Sequence, residues 1–152
     1  MKSIHLITVG KLKEKEYLDL EAQYLKRFKE ITFKIHEVKS HEENLDREAQ
    51  EVLKKIQQIE KNGSPKVILL TERGEKKNSP HFSKWLYKLL ETSSQIILII
   101  GGASGHGERV YEVAHAEISL SPLTFPHKMA RLILIEQVYR AETIHLGHPY
   151  NK

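Results

Sequence analysis

The 152-residue chain is long enough to bury one hydrophobic core, and 39% of its residues are hydrophobic and 29% charged, as in globular proteins. It contains no cysteine, which excludes disulfides, thiolate nucleophiles and cysteine-based metal sites. Its net charge of +4 comes from residues 1–94, where 19 basic residues exceed 15 acidic ones, because residues 95–152 carry five of each. This dispersed basic surface permits a nucleic-acid partner without requiring one.

No feature of the chain suggests a membrane or a metal. No apolar run approaches 18 residues, so we expect no membrane span. The segment Met1–Gly10 alternates apolar and polar residues without a small-residue cleavage site, so it predicts a strand rather than a signal peptide. We therefore expect a cytoplasmic protein. The nine histidines lack metal-ligand spacing, and we expect no metal.

Two kinds of apolar periodicity alternate along the first half. A strand is predicted around Ile4–Thr8 and another around Phe33–Ile35. A helical face between them is formed by Leu18, Tyr24, Leu25 and Phe28. A polar turn near His41–Asn44 precedes a helix whose apolar stripe consists of Leu45, Ala49, Val52, Leu53, Ile56 and Ile59.

The second half continues the alternation, and proline at Ser79-Pro80 is suited to a helical first turn. In order, the pattern predicts a strand at Val67–Leu70, a helix with Trp85, Leu86, Leu89 and Leu90 inward, a strand at Gln95–Ile100, a helix near Glu108–Ala116, a short strand at Glu117–Leu120 and a final helix from about Pro126. Alternating strands and helices indicate a single α/β domain over residues 1–152, with a parallel sheet.

Apolar residues cover so much of the circumference of the final helix that no side is left to face solvent. The residues responsible are Met129, Leu132, Ile133, Leu134, Ile135 and Val138. A partner chain is the simplest way to bury both sides, so we predict a homodimer through this helix. The alternative is a helix buried entirely within one chain.

A glycine turn, Gly101–Gly107, follows the apolar strand Gln95–Ile100. A P-loop would need Gly-Lys-Ser/Thr, a dinucleotide fingerprint would follow the first strand, and a hydrolase elbow would read Gly-x-Ser-x-Gly. None of these patterns is present. An adenosine-type ligand held by backbone groups remains, beside the alternative of a simple tight turn.

Five ordered segments nevertheless form a specific set. They are the strand-and-glycine motif ending at Gly105, the segment Ser119–His127, Arg131, Tyr139–Ala141 and His148–Tyr150. With Val9-Gly10 and Tyr24–Phe28, this order resembles the ribosomal RNA large subunit methyltransferase H family of the SPOUT class, over essentially the whole chain. The resemblance implies a parallel-sheet SPOUT methyltransferase fold with a C-terminal trefoil knot, although knots are otherwise nearly absent from folds.

The resemblance also implies the activity. Members transfer a methyl group from S-adenosylmethionine to N3 of a pseudouridine in 23S rRNA of the assembled 70S ribosome, as homodimers whose two chains complete each active site. The partners are thus RNA and a second copy of the chain, not DNA. The alternative is a non-catalytic module of the same fold that binds S-adenosylmethionine and the ribosome.

The resemblance also assigns functional roles to individual positions of this chain. The resemblance implies that Leu70, Gly101 and the loop of Leu120, Ser121, Pro122, Leu123, Thr124 and Phe125 hold the cofactor. Arg140 would stabilise negative charge on the target base, unless it merely pairs with Glu136 or Glu142.

The tail departs from the family pattern. Relatives usually end in Pro-Tyr-His before a basic residue, whereas this chain has Asn151. An amide cannot serve as a base at neutral pH, so Asn151 would orient the target base by hydrogen bonding, unless a nearby group such as His148 takes the proton. Tyr150 would stack on a base, or else pack at the dimer seam.

Overall fold

The protein is described by a computed structural model that covers residues 2–42 and 44–152. This part of the chain forms five strands and five helices. The strands are β1 (Lys2–Val9), β2 (Ile31–Val38), β3 (Lys66–Lys76), β4 (Gln95–Ile100) and β5 (Ala116–Ser119). The helices are α1 (Lys15–Leu25), α2 (Leu45–Glu60), α3 (Ser79–Thr92), α4 (Glu108–Val113) and α5 (His127–Leu146).

All five strands form one parallel sheet in the order β2-β1-β4-β3-β5. The central strand β4 is buried along its entire length, as its unbroken apolar run predicts. Helices α1, α3 and α5 pack on one face of the sheet and α2 and α4 on the other. The predicted α/β architecture with a parallel sheet is therefore confirmed.

Helix ends follow local side-chain chemistry. Asn44 caps α2 by accepting a hydrogen bond from the Arg47 amide at 3.1 Å, and Asn78 caps α3 in the same way through His81 at 2.9 Å. The predicted turn before α2 includes Glu43, which lies outside the described residues. Helix α5 ends at Leu146 and is followed by Gly147, whose φ of 73° is left-handed and favours glycine.

The sequence prediction for α1 is confirmed in part, since Tyr24, Leu25 and Phe28 pack against the hydrophobic core. This helix ends at Leu25, before Phe28, and Leu18 is 39% exposed instead of lying on the inner face. The buried position of α1 is an acidic residue, Glu21, whose carboxylate binds Arg131 of α5 through two hydrogen bonds of 2.8 Å. The most deeply buried side chain of α1 is thus held by an ion pair, beside the apolar contacts.

Boundaries in the second half also differ from prediction. Helix α4 ends at Val113 and β5 begins at Ala116, because His115 already belongs to the sheet edge. Its amide donates to the Val67 carbonyl at 2.8 Å, and its Nδ1 accepts from the Val67 amide at 2.9 Å. Strand β3 continues six residues beyond Leu70, through a polar segment whose strand pairing comes from β5.

Candidate functional site

A cavity of about 340 Å³ opens beside the middle of β3 and the carboxyl ends of β4 and β5. Its lining combines apolar side chains with backbone from the glycine turn and a few polar groups. The residues around it are Leu70, Thr71, Glu72, Arg73, Ile100, Gly101, Gly102, Gly105, His106, Tyr111, Leu120, Ser121, Leu123, Phe125, His127 and Ala130.

A bulge in β3 forms one wall of this cavity. Both Leu70 and Glu75 pair with Ile118 of β5, so residues 71–74 leave the ladder between them. Gly74 permits this, since a Cβ there would lie 2.5 Å from the Ile118 carbonyl carbon. The displaced segment presents Thr71, Glu72 and Arg73 to the cavity. The apolar periodicity of the sequence did not predict that these three residues line a cavity, because the bulge depends on pairing with a distant strand.

The glycine turn after β4 forms the opposite wall. A Cβ on Gly101 would meet the Gly105 carbonyl oxygen at 2.5 Å, and Gly105 itself has a φ of +87°. Gly101 therefore has to be glycine for the turn to close, whatever occupies the cavity. The turn also places His106 inside the site, and sequence reasoning had not assigned this residue a role.

His106 joins two walls of the cavity. Its Nε2 lies 2.9 Å from the Leu70 carbonyl oxygen, and its ring packs edge-on against Tyr111. Burial lowers the pKa of His106, so the ring is neutral at physiological pH and donates from Nε2 to the carbonyl. The Leu70 carbonyl is thereby occupied within the protein, which leaves neighbouring backbone groups for a ligand.

Most of the residues predicted for cofactor binding meet around the cavity. Leu70, Gly101, Leu120, Ser121, Leu123 and Phe125 all line it. Pro122 and Thr124 belong to the same loop but are exposed and do not line the cavity. Cofactor binding stays a prediction for all eight residues. Leu123 is 70% exposed, a high value for an apolar side chain at the mouth of a cavity. Such a loop is suited to close over a ligand.

The residues predicted for catalysis form a second cluster at the end of α5. Glu136 Oε1 accepts hydrogen bonds from Arg140 Nε at 2.9 Å, from Arg140 Nη2 at 2.7 Å and from the Tyr150 hydroxyl at 3.0 Å. Arg140 Nη1 donates to Asn151 Oδ1 at 2.9 Å, and the Arg140 guanidinium lies 4.8 Å from the Tyr150 ring centroid. The four side chains form one bonded group, called the tail cluster below.

Electrostatics fix the charge states in the tail cluster. Hydrogen bonding to Glu136 raises the pKa of Arg140, so its guanidinium stays charged. Burial and the Glu136 hydrogen bond raise the pKa of Tyr150, so its hydroxyl stays neutral. The ion-pair partner of Arg140 is Glu136. Glu142 is instead occupied by the backbone amides of Lys29, Glu30 and Ile31.

His148 has a local role in the tail. Its Nδ1 accepts a hydrogen bond from the Tyr150 amide at 3.2 Å. This hydrogen bond stabilises the turn, and a role for His148 in taking the proton of the target base stays a prediction.

The cavity and the tail cluster lie at different places along α5. Ala130 lines the cavity near the start of the helix, whereas Arg140 lies ten residues further on. At a rise of 1.5 Å per residue this separates them by about 15 Å along the helix axis. One chain therefore does not bring its own Arg140 to the part of its cavity lined by Ala130.

Two features are absent from residues 2–42 and 44–152. No helix there is long and apolar enough to cross a membrane. The same part of the chain holds no group of three or more histidine or acidic side chains arranged for a metal ion.

Known proteins similar to this chain share both its sequence pattern and its fold. A family model described as predicted SPOUT methyltransferase matches residues 1–151. The chain is 35% identical over 156 residues to ribosomal RNA large subunit methyltransferase H of Bacteroides fragilis, covering 96% of each protein. It is 39% identical over 162 residues to the protein of that name from Streptococcus thermophilus, covering 98% of this chain and 99% of the relative.

Solved structures give the same fold at lower identity. The crystal structure of tRNA (m1G37) methyltransferase from Aquifex aeolicus has a TM-score of 0.57 and 18% identity, covering 91% of this chain and 70% of that one. The SpoU methyltransferase AviRb from Streptomyces viridochromogenes has a TM-score of 0.52 and 10% identity, covering 97% and 61%. These two likenesses bear on the fold alone. By its sequence, the chain belongs to the ribosomal RNA large subunit methyltransferase H family of SPOUT methyltransferases.

Proposed function

We propose that this protein uses S-adenosylmethionine to methylate N3 of a pseudouridine in 23S rRNA of the assembled 70S ribosome. Two observations together carry the proposal: a ligand-sized cavity beside the bulge of β3 and the ends of β4 and β5, and a bonded arginine–amide–tyrosine cluster at the end of α5. The names of the near-full-length relatives support ribosomal RNA as the substrate class. The proposal implies a cytoplasmic enzyme of one domain, with an RNA substrate rather than DNA.

The cavity fits S-adenosylmethionine in size and chemistry. Its volume of about 340 Å³ lies within the usual range for small-ligand sites. Ile100, Leu120 and Phe125 offer apolar surface for an adenine ring, while backbone of the glycine turn and of residues 71–73 offers polar contacts. When bound, the cofactor supplies a methyl group already activated by a positively charged sulfur, so we propose no metal ion.

The role we propose for Arg140 is to stabilise the base after N3 loses its proton. Three of its five N–H donors are held by Glu136 and Asn151, which leaves two for an external acceptor. The negative charge of a deprotonated N3 spreads to the two flanking carbonyl oxygens, which suit such donors. Because Glu136 fixes the guanidinium plane beforehand, little reorganisation is needed.

Asn151 would orient the same base. Its Oδ1 accepts from Arg140, which leaves its NH₂ group to donate to a carbonyl of the base. This role does not require Asn151 to gain or lose a proton. It is compatible with an asparagine where relatives usually carry histidine, and the N3 proton would then leave to solvent.

We also propose that a homodimer completes each site, with the tail cluster of one chain facing the cavity of its partner. Two observations support this arrangement: the separation of about 15 Å along α5 within one chain, and the apolar surface that α5 leaves open. Met129 is 43% exposed, and Leu132 and Ile133 are partly exposed beside it.

Subunit mixing tests this arrangement. Ser121→Trp should block the cavity and Arg140→Ala should disable the tail cluster, so each homodimer should be inactive. After unfolding and refolding together, half of the dimers are mixed and each has one intact site, which gives about a quarter of wild-type activity. No recovery, with mixed dimers demonstrated by differential tagging, would contradict the shared site.

The trefoil knot is proposed on topology. Strand β5 pairs with β3 at the edge of the sheet. Residues 120–126 connect β5 to α5, and α5 packs back against α1, α3 and β4. When the unfolded chain is stretched by its two ends, its contour length should be shorter than that of an unknotted chain with the same number of residues. A full-length contour would exclude the knot.

The activity is tested with labelled S-adenosylmethionine and 70S ribosomes from a strain that lacks this modification. We expect label in 23S rRNA, on N3 of a pseudouridine after nuclease digestion and mass spectrometry. Cofactor and ribosome binding without any label would favour the non-catalytic alternative.

A further inference from the structure

Arg27 is an exposed cation held over aromatic rings next to the tail cluster. It follows α1, and its guanidinium carbon lies 5.3 Å from the centroid of the Tyr24 ring and 5.9 Å from that of Tyr139. Tyr139 is 8% exposed and packs against Phe28 and Tyr24, so the surface under Arg27 is rigid. Two ring contacts restrict a side chain that would otherwise sample many rotamers.

The charge of Arg27 is not neutralised by the protein around it. Six ion pairs form within residues 2–42 and 44–152, and Arg27 belongs to none of them. The nearby carboxylates are engaged elsewhere: Glu30 pairs with Lys2, Glu136 with Arg140, and Glu142 with backbone amides. The flanking residues Lys26 and Lys29 are themselves basic and exposed.

A short series of contacts joins Arg27 to the tail cluster. The Tyr139 ring beneath Arg27 lies 4.9 Å from the Tyr150 ring, centroid to centroid, and Tyr150 lies 4.8 Å from the Arg140 guanidinium. Arg27 and Arg140 therefore lie at two edges of one aromatic surface. A nucleotide whose base reached Arg140 would carry its phosphates toward the rim of that surface.

We propose that Arg27 binds a backbone phosphate of the RNA substrate beside the target nucleotide. The inference rests on the proposed function and adds a substrate-positioning residue to it. A guanidinium stacked on rings keeps its N–H edge free, and that edge matches two phosphate oxygens at once, which an ammonium group does not. The contact fixes the register of the RNA, while the tail cluster acts on the base.

The test compares Arg27→Ala and Arg27→Lys with Lys26→Ala, a matched control that removes one exposed positive charge from the adjacent residue. Each variant is assayed for methyl transfer to unmodified 70S ribosomes, and for ribosome binding at several salt concentrations. Melting temperature and S-adenosylmethionine affinity are measured on the same preparations, to verify that the fold and the cavity are intact.

We expect Arg27→Ala to raise KM for ribosomes by about tenfold with kcat within about twofold of wild type, and to reduce the salt-dependence slope of binding by about one. Arg27→Lys should keep that slope with an intermediate KM, because it retains the charge but not the planar edge. Lys26→Ala should change KM by less than about twofold.

Three outcomes would overturn the inference: equal effects of Arg27→Ala and Lys26→Ala, an unchanged KM in Arg27→Ala, or a loss confined to kcat. The proposed function fails separately, if wild-type protein binds ribosomes but transfers no methyl group. In that case the binding slopes still decide the role of Arg27. A wild-type protein that does not bind ribosomes would refute both.

Discussion

Arg140 is the residue on which the proposed chemistry depends most directly. Arg140→Ala should lower kcat by roughly 10²–10³-fold, because two donors aimed at the developing charge are lost. The affinity for S-adenosylmethionine should stay nearly unchanged, because in the proposed role the two free donors of Arg140 act on the target base and not on the cofactor. Single-turnover methyl transfer and calorimetric titration measure the two quantities. Equal losses in both would refute the assigned role.

Asn151 is where this chain departs from its family. Asn151→His should match or raise kcat at neutral pH if a histidine in this position takes the N3 proton, and the new pH profile should follow a group titrating near 6.5. A marked drop would instead mean that the cluster requires the amide to accept from Arg140 and donate to the base. Initial rates between pH 5.5 and 8.5 distinguish the two.

A histidine pair far from the site gives a pH prediction. His36 Nε2 lies 2.9 Å from His5 Nδ1, and His5 Nε2 lies 2.9 Å from Gln95 Oε1. Burial, followed by the charges of His5, Lys55 and Lys34, lowers the pKa of His36 from 6.5 to about 4.

The unfolded state therefore binds more protons than the folded state between these two pH values, and stability falls as pH falls from 6.5 to about 4. The loss from His36 should be roughly 2–3 kcal/mol. Urea unfolding at stepped pH measures it, and His36→Asn should flatten the profile in this window. An equally steep profile in the variant would assign the loss to other groups.

At the scale of the elements, one side chain of α5 holds the start of β2 in place. Glu142 is 1% exposed and accepts from the amides of Lys29, Glu30 and Ile31 at 2.7–2.9 Å. Glu142→Ala would leave these amides without their acceptor, so we expect a loss of at least about 3 kcal/mol in the free energy of unfolding. Glu142→Gln should lose less, because its carbonyl oxygen still accepts.

The matched control is Glu91→Ala, at an exposed position of α3. It should change the free energy of unfolding by less than about 0.5 kcal/mol. A similar loss in Glu91→Ala and Glu142→Ala, measured by urea denaturation, would contradict the role given to Glu142.

For the whole molecule, the prediction concerns the open face of α5. Ile133→Glu places a charge among apolar side chains that a partner would cover, so it should convert a dimer into a monomer and abolish methyl transfer. Sedimentation velocity and the ribosome assay measure these effects. Leu20→Glu, at a 44% exposed leucine of α1, should change neither. A wild-type monomer in solution would refute the dimer.

A structural feature could be predicted from the sequence when it depends on residues that are close together along the chain. Asparagine caps, the proline of α3 and the buried run of β4 follow from neighbouring residues, so the order and type of the elements could be predicted. Glu21 of α1 could not, because its burial depends on Arg131, 110 positions away along the chain. The β3 bulge and His106 were missed for the same reason, since β5 and the glycine turn create their environments.

The sequence by itself determined the α/β class, the family and most residues of the two candidate sites, because these depend on periodicity and on motifs read in order. Only the tertiary structure decided that Leu70 is joined to His106, that Arg140 pairs with Glu136 and that Glu142 anchors β2. It also decided that the cavity and the tail cluster lie at separate positions along α5. Each of these depends on side chains brought together by the parallel sheet and its crossing helices, and no local pattern encodes such distances.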